Sequence, residues 1–171
     1  VVLHMLNRLD DAAASYQRVL AIEPNYAEAH FNLGNALNDL ERPDAAAASY
    51  GNAIAIRPDY AEAHNNLGNA LKDLGRLDEA LAHCRRALSI KPDFAEAHYN
   101  LGVLLQKLGK PDAAAESYLK ALAIKPDFAE AHNDLGNALQ DLGKLDEARA
   151  NYSKALAINP DFAEAHRHLS I

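Results

Sequence analysis

Eight histidines, one cysteine and twenty-four carboxylates are the side chains of this sequence that can ligate a metal, attack a carbon or move a proton. Five of the histidines, His30, His64, His98, His132 and His166, recur at one constant interval. Imidazoles in series are raw material for a metal site, but a shared ion needs every ligand nitrogen within about 2.1 Å. One histidine on each of several helices, whose axes pack about 8–10 Å apart, does not meet that condition. His83 beside Cys84, His166 with His168, and Glu28 with His30 are one or two residues apart, so on a helix they face different directions. These histidines read as packing residues, with no metal and no cofactor expected. Cys84 stands in the register held elsewhere by Tyr16, Tyr50, Tyr118 and Tyr152. It reads as a small buried hydrophobe that leaves its site locally under-packed, not as a nucleophile. No phosphate-cradling loop or catalytic constellation accompanies it, so the chain is not expected to be an enzyme by itself.

The remaining chemistry belongs to amides. Asn32 and Asn35, Asn66 and Asn69, Asn100 and Val103, and Asp134 and Asn137 repeat in one register. A side-chain amide carries one carbonyl acceptor and an NH2 donor. An extended peptide offers the complementary pair at every residue. A ladder of asparagines therefore suits gripping a peptide by its backbone, largely regardless of its sequence.

The elements that position these groups follow from the same period. Pro24, Pro58, Pro92, Pro126 and Pro160 fall at the same interval as the histidines. Within each unit, leucines such as Leu67, Leu71 and Leu74 are spaced four and three, which places them on one face of a first helix. A turn follows at Gly75-Arg76-Leu77, with glycine at a left-handed helix exit. A second helix then presents Ala80, Ala87, Leu88 and Ile90 inward, and Pro43 and Pro111 suit its first position in two units. Asp93 with Glu96, like Asp59/Glu62, Asp127/Glu130 and Asp161/Glu164, has the spacing of a capping box for the next helix. Small residues in one register (Gly34, Gly68, Gly102, Gly136) predict close helix approach, with the tyrosine ring beside them. With Leu33, Leu37 and Leu40 facing the core, Asn32 and Asn35 lie on the exposed flank of the first helix.

The 34-residue period, the Leu-Gly pair, the two alanines, the aromatic and the proline resemble the tetratricopeptide repeat over essentially the whole chain. Histidine stands where that family often has tryptophan. The resemblance implies an all-α, right-handed α-α superhelix (solenoid), with first helices lining a concave groove. Complete repeats are expected at 27–60, 61–94, 95–128 and 129–162, a partial repeat at 1–26 that enters within its first helix, and the start of a further one at 163–171. The blocks N-L-G-N, A-E-A-H and P-D-F most resemble the repeat array of O-linked N-acetylglucosamine transferases and their bacterial relatives. In those arrays, asparagines in the register of Asn32, Asn66 and Asn100 hold substrate peptide.

The implied function is a scaffold binding an extended peptide or partner protein, either alone or as the substrate-recruiting arm of a larger enzyme. Phe31 and Tyr99 replace Asn65 and Asn133 and would offer apolar contacts to the ligand. Asp39, Asp73, Asp134 and Asp141 favour a neutral or basic partner. A net charge of −7 argues against nucleic acid, whose phosphates need a basic face. No apolar run approaches a membrane span, and the lone cysteine accords with a reducing, cytoplasmic location. Val1, Val2, Leu3, Leu169 and Ile171 read as apolar ends of an array cut in mid-repeat, open to end-to-end self-association.

Overall fold

Leucines at helical spacing, alanine at most close contacts and a proline closing every repeat leave the chain little but short helices to form. The computed structural model describes residues 2–169, with side chains from residue 8 onward. The described residues are all-α. The chain divides into two compact units, Val1–Pro92 and Asp93–Ile171. The first holds α1 (Val2–Ile22), α2 (Ala27–Asp39), α3 (Pro43–Ile56), α4 (Ala61–Asp73) and α5 (Leu77–Ile90). The second holds α6 (Ala95–Lys107), α7 (Pro111–Ile124), α8 (Ala129–Asp141), α9 (Leu145–Ile158) and α10 (Ala163–Leu169). In each unit every helix packs on the next, and first helices of successive repeats also touch, α2 with α4 and α6 with α8.

The start of the chain departs from the expected pattern. The register places a turn at residues 6–8, yet α1 runs through it as one helix. Asn7 holds the place that Gly75, Gly109 and Gly143 hold in later repeats, so the residue best suited to end the helix is missing. Of the five apolar end residues, Val1 and Ile171, and the side chains of Val2 and Leu3, lie outside the described residues. Leu169 is half-buried.

The turn inside each repeat is a Schellman motif. The amide of Arg42 reaches the carbonyl of Leu37 and that of Glu41 reaches Asn38, and the same pair of bonds recurs at Arg76 and Gly75, Lys110 and Gly109, and Lys144 and Gly143. The motif demands a left-handed residue, and glycine supplies it with φ of 74°, 69° and 74°. Glu41 is forced to φ 56° at the same place. A β-carbon there costs roughly 1–2 kcal/mol. Glu41→Gly is therefore expected to stabilise the protein by about 1 kcal/mol, read as a rise in melting temperature. A lower melting temperature would show that the Glu41 side chain contributes more than its backbone strain costs.

The capping boxes expected ahead of α4, α6 and α8 do not form. The residues before α2, α4, α6 and α8 are Tyr26, Tyr60, Phe94 and Phe128, and no side chain caps these helices. The glutamates turn outward to a base just past the end of the second helix: Glu28 to Arg57, Glu62 to Lys91 at 3.1 Å, and Glu96 to Lys125 at 3.5 Å. Arg57 and Lys125 also lie 4.5 Å from the ring centres of Tyr60 and Phe128. An aromatic at the cap position thus packs while the glutamate two residues on pairs with the far end of the second helix of its own repeat, a contact no local spacing rule describes.

The glycine–tyrosine register is the centre of each repeat. A β-carbon on Gly34, Gly102 or Gly136 would come within 2.5, 2.5 and 2.4 Å of the ring of Tyr50, Tyr118 or Tyr152. These rings are among the most buried large side chains of the protein. Cys84 is fully buried in the same place, its sulfur 2.8 Å from where a Gly68 β-carbon would stand. Burial pushes its thiol up to about 12, which makes it a poor nucleophile. Near Cys84 the Lys72 side chain is only 20% exposed, and its ammonium donates to Asn69 Oδ1 at 2.6 Å. Elsewhere a tyrosine hydroxyl donates to the equivalent amide, Tyr50 to Asn35 and Tyr152 to Asn137, so Lys72 takes over the missing ring's polar partner.

Candidate peptide-binding surface

The exposed flank of the first helices carries the amides, and within each unit it forms a cleft between successive first helices and the intervening tyrosine. In the first unit the cleft encloses 340 Å³ and is lined by Asn35, Asn38, Asp39, Tyr50, Asn66 and Asn69. In the second it encloses 250 Å³ and is lined by Val103, Gln106, Lys107, Tyr118, Asp134 and Asn137. Each residue of the second set lies two full repeats after its counterpart in the first. Two clefts of one design with different side chains are therefore present.

Their hydrogen bonds are specific. In the first unit Asn35 Oδ1 accepts from the Tyr50 hydroxyl at 2.8 Å and from Asn66 Nδ2 at 3.0 Å. Asn65, buried behind it, donates to Asn66 Oδ1 at 3.2 Å. An amide has two donor hydrogens and two acceptor lone pairs. Asn66, which also bonds the Tyr50 hydroxyl, keeps an acceptor lone pair, and Asn35 keeps its NH2 for the cleft. Burial raises the Tyr50 hydroxyl to about 12, holding it protonated as the donor in this network. In the second unit Asp134 takes the place of the amide. Its carboxylate accepts from the Tyr99 hydroxyl at 2.8 Å and from Asn133 Nδ2 at 3.1 Å, with Asn137 Nδ2 at 3.5 Å. Burial raises its pKa, while the Tyr99 and Asn133 bonds pull the other way. Asn137 Oδ1 accepts from Tyr152 at 2.9 Å, and Tyr118 donates to Gln106 at 3.0 Å because Val103 offers it nothing.

The expected residues divide accordingly. Asn35, Asn66 and Asn69 line one cleft, and Asp134 and Asn137 line the other. Asn32 and Asn100 are half-buried and line neither. Phe31 and Tyr99 are half-buried and committed to rings inside their own units. Phe31 lies 5.9 Å from Tyr50 and 4.9 Å from Tyr60, and Tyr99 lies 5.8 Å from Tyr118 and 4.8 Å from Phe128. Asn38 and Tyr50 escape the reading of the sequence. Asn38 follows Asn35 by one turn, a visible signal, whereas the ring of Tyr50 reads as core and only its hydroxyl reaches the cleft.

The repeating histidines prove to be hydrogen-bonded as well as packed. Nε2 donates to the proline carbonyl six residues earlier: His30 to Pro24 at 2.9 Å, His64 to Pro58 at 3.2 Å, His132 to Pro126 at 3.1 Å and His166 to Pro160 at 2.7 Å. Each such bond satisfies a carbonyl in the connection between repeats and fixes the entry of the next first helix. Among the described residues, no group of three histidine, cysteine or carboxylate side chains could hold a metal ion, and no helix is long and apolar enough to cross a membrane.

Models of the TPR repeat match residues 2–41, 34–75, 68–109 and 136–170, and models of the tetratricopeptide repeat match 95–128 and 117–150. The chain belongs to the tetratricopeptide repeat family. This tetratricopeptide array is similar to the crystal structure of MamA, at 30% identity over 94% of each chain with a TM-score of 0.82. It also resembles TTC0263, a thermophilic TPR protein of Thermus thermophilus, at 28% identity over 99% of this chain and 93% of that one, TM-score 0.76. A third similar fold is that of YrrB, described as a TPR protein with an unusual peptide-binding site, at 24% identity over 99% and 88%, TM-score 0.78. No curated protein is similar enough in sequence to match. The family and these neighbours support a protein-interaction scaffold.

Proposed function

We propose that the tetratricopeptide array binds extended peptide from a partner protein, each of the two clefts gripping backbone with its own amides. The carrying observation is the amide-and-tyrosine cleft built twice in one register, with unspent donors and acceptors on Asn35 and Asn66. Asp39 in one cleft and the carboxylate of Asp134 in the other favour a neutral or basic segment over an acidic one. The one thiol is buried and held protonated, which suits a packing role and not that of a nucleophile. A buried, unpaired cysteine accords with a reducing compartment such as the cytoplasm.

The test is a fluorescence-anisotropy titration with peptides selected from an array of extended sequences. The Asn35→Ala/Asn69→Ala variant is expected to bind about 30-fold more weakly at the first cleft and Asn137→Ala about 5-fold more weakly at the second, from about 1 kcal/mol per lost amide contact, with helicity retained. Equal affinity in variant and wild type, or no peptide bound by the wild type, would refute the reading.

The N-L-G-N and A-E-A-H blocks favour a narrower form of it, in which the array is the substrate-recruiting arm of a glycosyltransferase. A catalytic domain in the parent chain beside the repeats would decide for that form. End-to-end self-association is a further reading from the apolar ends, and light scattering that grows with concentration would support it.

A further inference from the structure

One side-chain pair of the first unit has no part in the clefts. His64 on α4 and His83 on α5 bring their Nδ1 atoms to 2.9 Å, with ring centres 5.2 Å apart and planes 29° from parallel. The nitrogens are far closer than the ring centres, so the rings meet edge to edge with the two nitrogens facing. The proton inventory follows from a second bond. His64 Nε2 donates to the Pro58 carbonyl, which leaves its Nδ1 as an acceptor. His83 must then donate from Nδ1, with its Nε2 lone pair directed away from the pair. The nitrogens face each other head-on, so their lone pairs do not converge on a point to one side where an ion about 2.0 Å from each could sit. The pair is therefore a proton device and not a metal site.

The first added proton goes to His83 Nε2 and strengthens the shared bond by placing a charge on its donor. A second proton has only His64 Nδ1 to occupy, where it would face the His83 N–H head-on. We propose that His64 and His83 form an acid-released latch between α4 and α5, closed while at most one of the two rings is charged and forced open when both are. No other described hairpin carries it: the position of His83 holds Ser49, Ser117 and Asn151 in the other repeats. The helix it holds, α4, bears Asn66 and Asn69, though the latch stands on the pair's geometry whether or not that face binds peptide.

The surrounding charges do not replace the lost bond. On α5, Glu79 acts on His83 but is held by Arg76 through both oxygens at 2.7 Å, and Arg86 disfavours charge on His64. On α4, Glu62 is paired with Lys91. From α3, residues 45–56 offer no charged side chain, only the Tyr50 hydroxyl. From α2, Glu28 is paired with Arg57, and His30 is held by Pro24. Burial lowers the pKa of both His64 and His83 below their ordinary 6.5. The unfolded chain then binds more protons than the folded one, so the latch's stabilisation is complete above about pH 6.5 and is lost as pH falls through that value toward the folded pKa values.

The test compares thermal melting of the full chain from about pH 7.5 to about pH 5.5 for wild type, His83→Ser and His83→Asn. The other histidines are common to all three proteins, so the difference isolates the pair. The wild type is expected to lose about 3 °C more than either variant across that range. Parallel pH dependence in all three would overturn the latch. Imidazole nitrogen NMR of the wild type near neutral pH gives an independent readout that needs no variant. His64 is expected to show an unprotonated Nδ1 and His83 a protonated one, and the reverse assignment would equally overturn it.

Discussion

Gly136→Ala is expected to lower stability by about 3 kcal/mol and the melting temperature by about 8 °C. The new β-carbon would stand 2.4 Å from one ring carbon of Tyr152 and 2.7 Å from the next. That ring is 1% exposed, with its hydroxyl bonded to Asn137 and Gln140, so it has nowhere to retreat. Thermal melting of a double-mutant cycle with Tyr152→Leu checks the cause: the cost should shrink once the ring is gone. Gly51→Ala is the internal control, because nothing lies within 4 Å of a β-carbon there. In the interior of α3 it should gain about 1 kcal/mol from helix propensity alone. Opposite effects of one chemical change would locate the constraint in the α8–α9 contact and not in glycine itself. A cost at Gly136 that survives loss of the ring would assign it to the backbone instead.

Tyr118→Ala should be costlier, about 4 kcal/mol, because it empties the centre of the α6–α7 hairpin. Tyr118 is fully buried, its ring fills the space over Gly102 and contacts the ring of Tyr99, and its hydroxyl donates to Gln106. Tyr118→Phe removes only that last bond and should cost about 1 kcal/mol. Denaturant unfolding of the two variants separates packing from hydrogen bonding. A phenylalanine variant as unstable as the alanine one would show that the hydroxyl network, and not ring volume, holds this hairpin. Because Tyr118 also lines the second cleft, the phenylalanine variant tests whether its hydroxyl orients Gln106 for a ligand.

Much of this architecture is legible from spacing. The repeat period places the helices α2 to α10, the glycine exits of three turns, the prolines that open α3 and α7, and the glycine facing each tyrosine. Each of these is decided within one helix or one turn, where about 3.6 residues per turn fix which side chains share a face. Partners across helices are not legible in this way. Asp93 and Glu96 have capping-box spacing, yet Phe94 takes the cap and Glu96 turns to Lys125. Cys84 leaves Asn69 without the tyrosine hydroxyl its counterparts have, and Lys72 supplies the donor instead.

An alternation with a period of two repeats lies in the sequence but gains meaning only from contacts. Phe31 and Tyr99 alternate with Asn65 and Asn133, aromatic then amide. The rings pack on Tyr60 and Phe128, whereas Asn65 and Asn133 sit buried and orient Asn66 and Asp134. Sequence alone determined that this is a helical repeat of the tetratricopeptide family with an amide-bearing first-helix face. Only the tertiary structure decided which amides share a cleft, which hydroxyl reaches them, and that His64 meets His83. Those pairs lie 15 to 31 residues apart and join different helices. Whether their atoms meet depends on the rotation and axial offset of one helix against its neighbour, and those are set by packing of whole faces, not by the spacing of residues along either helix.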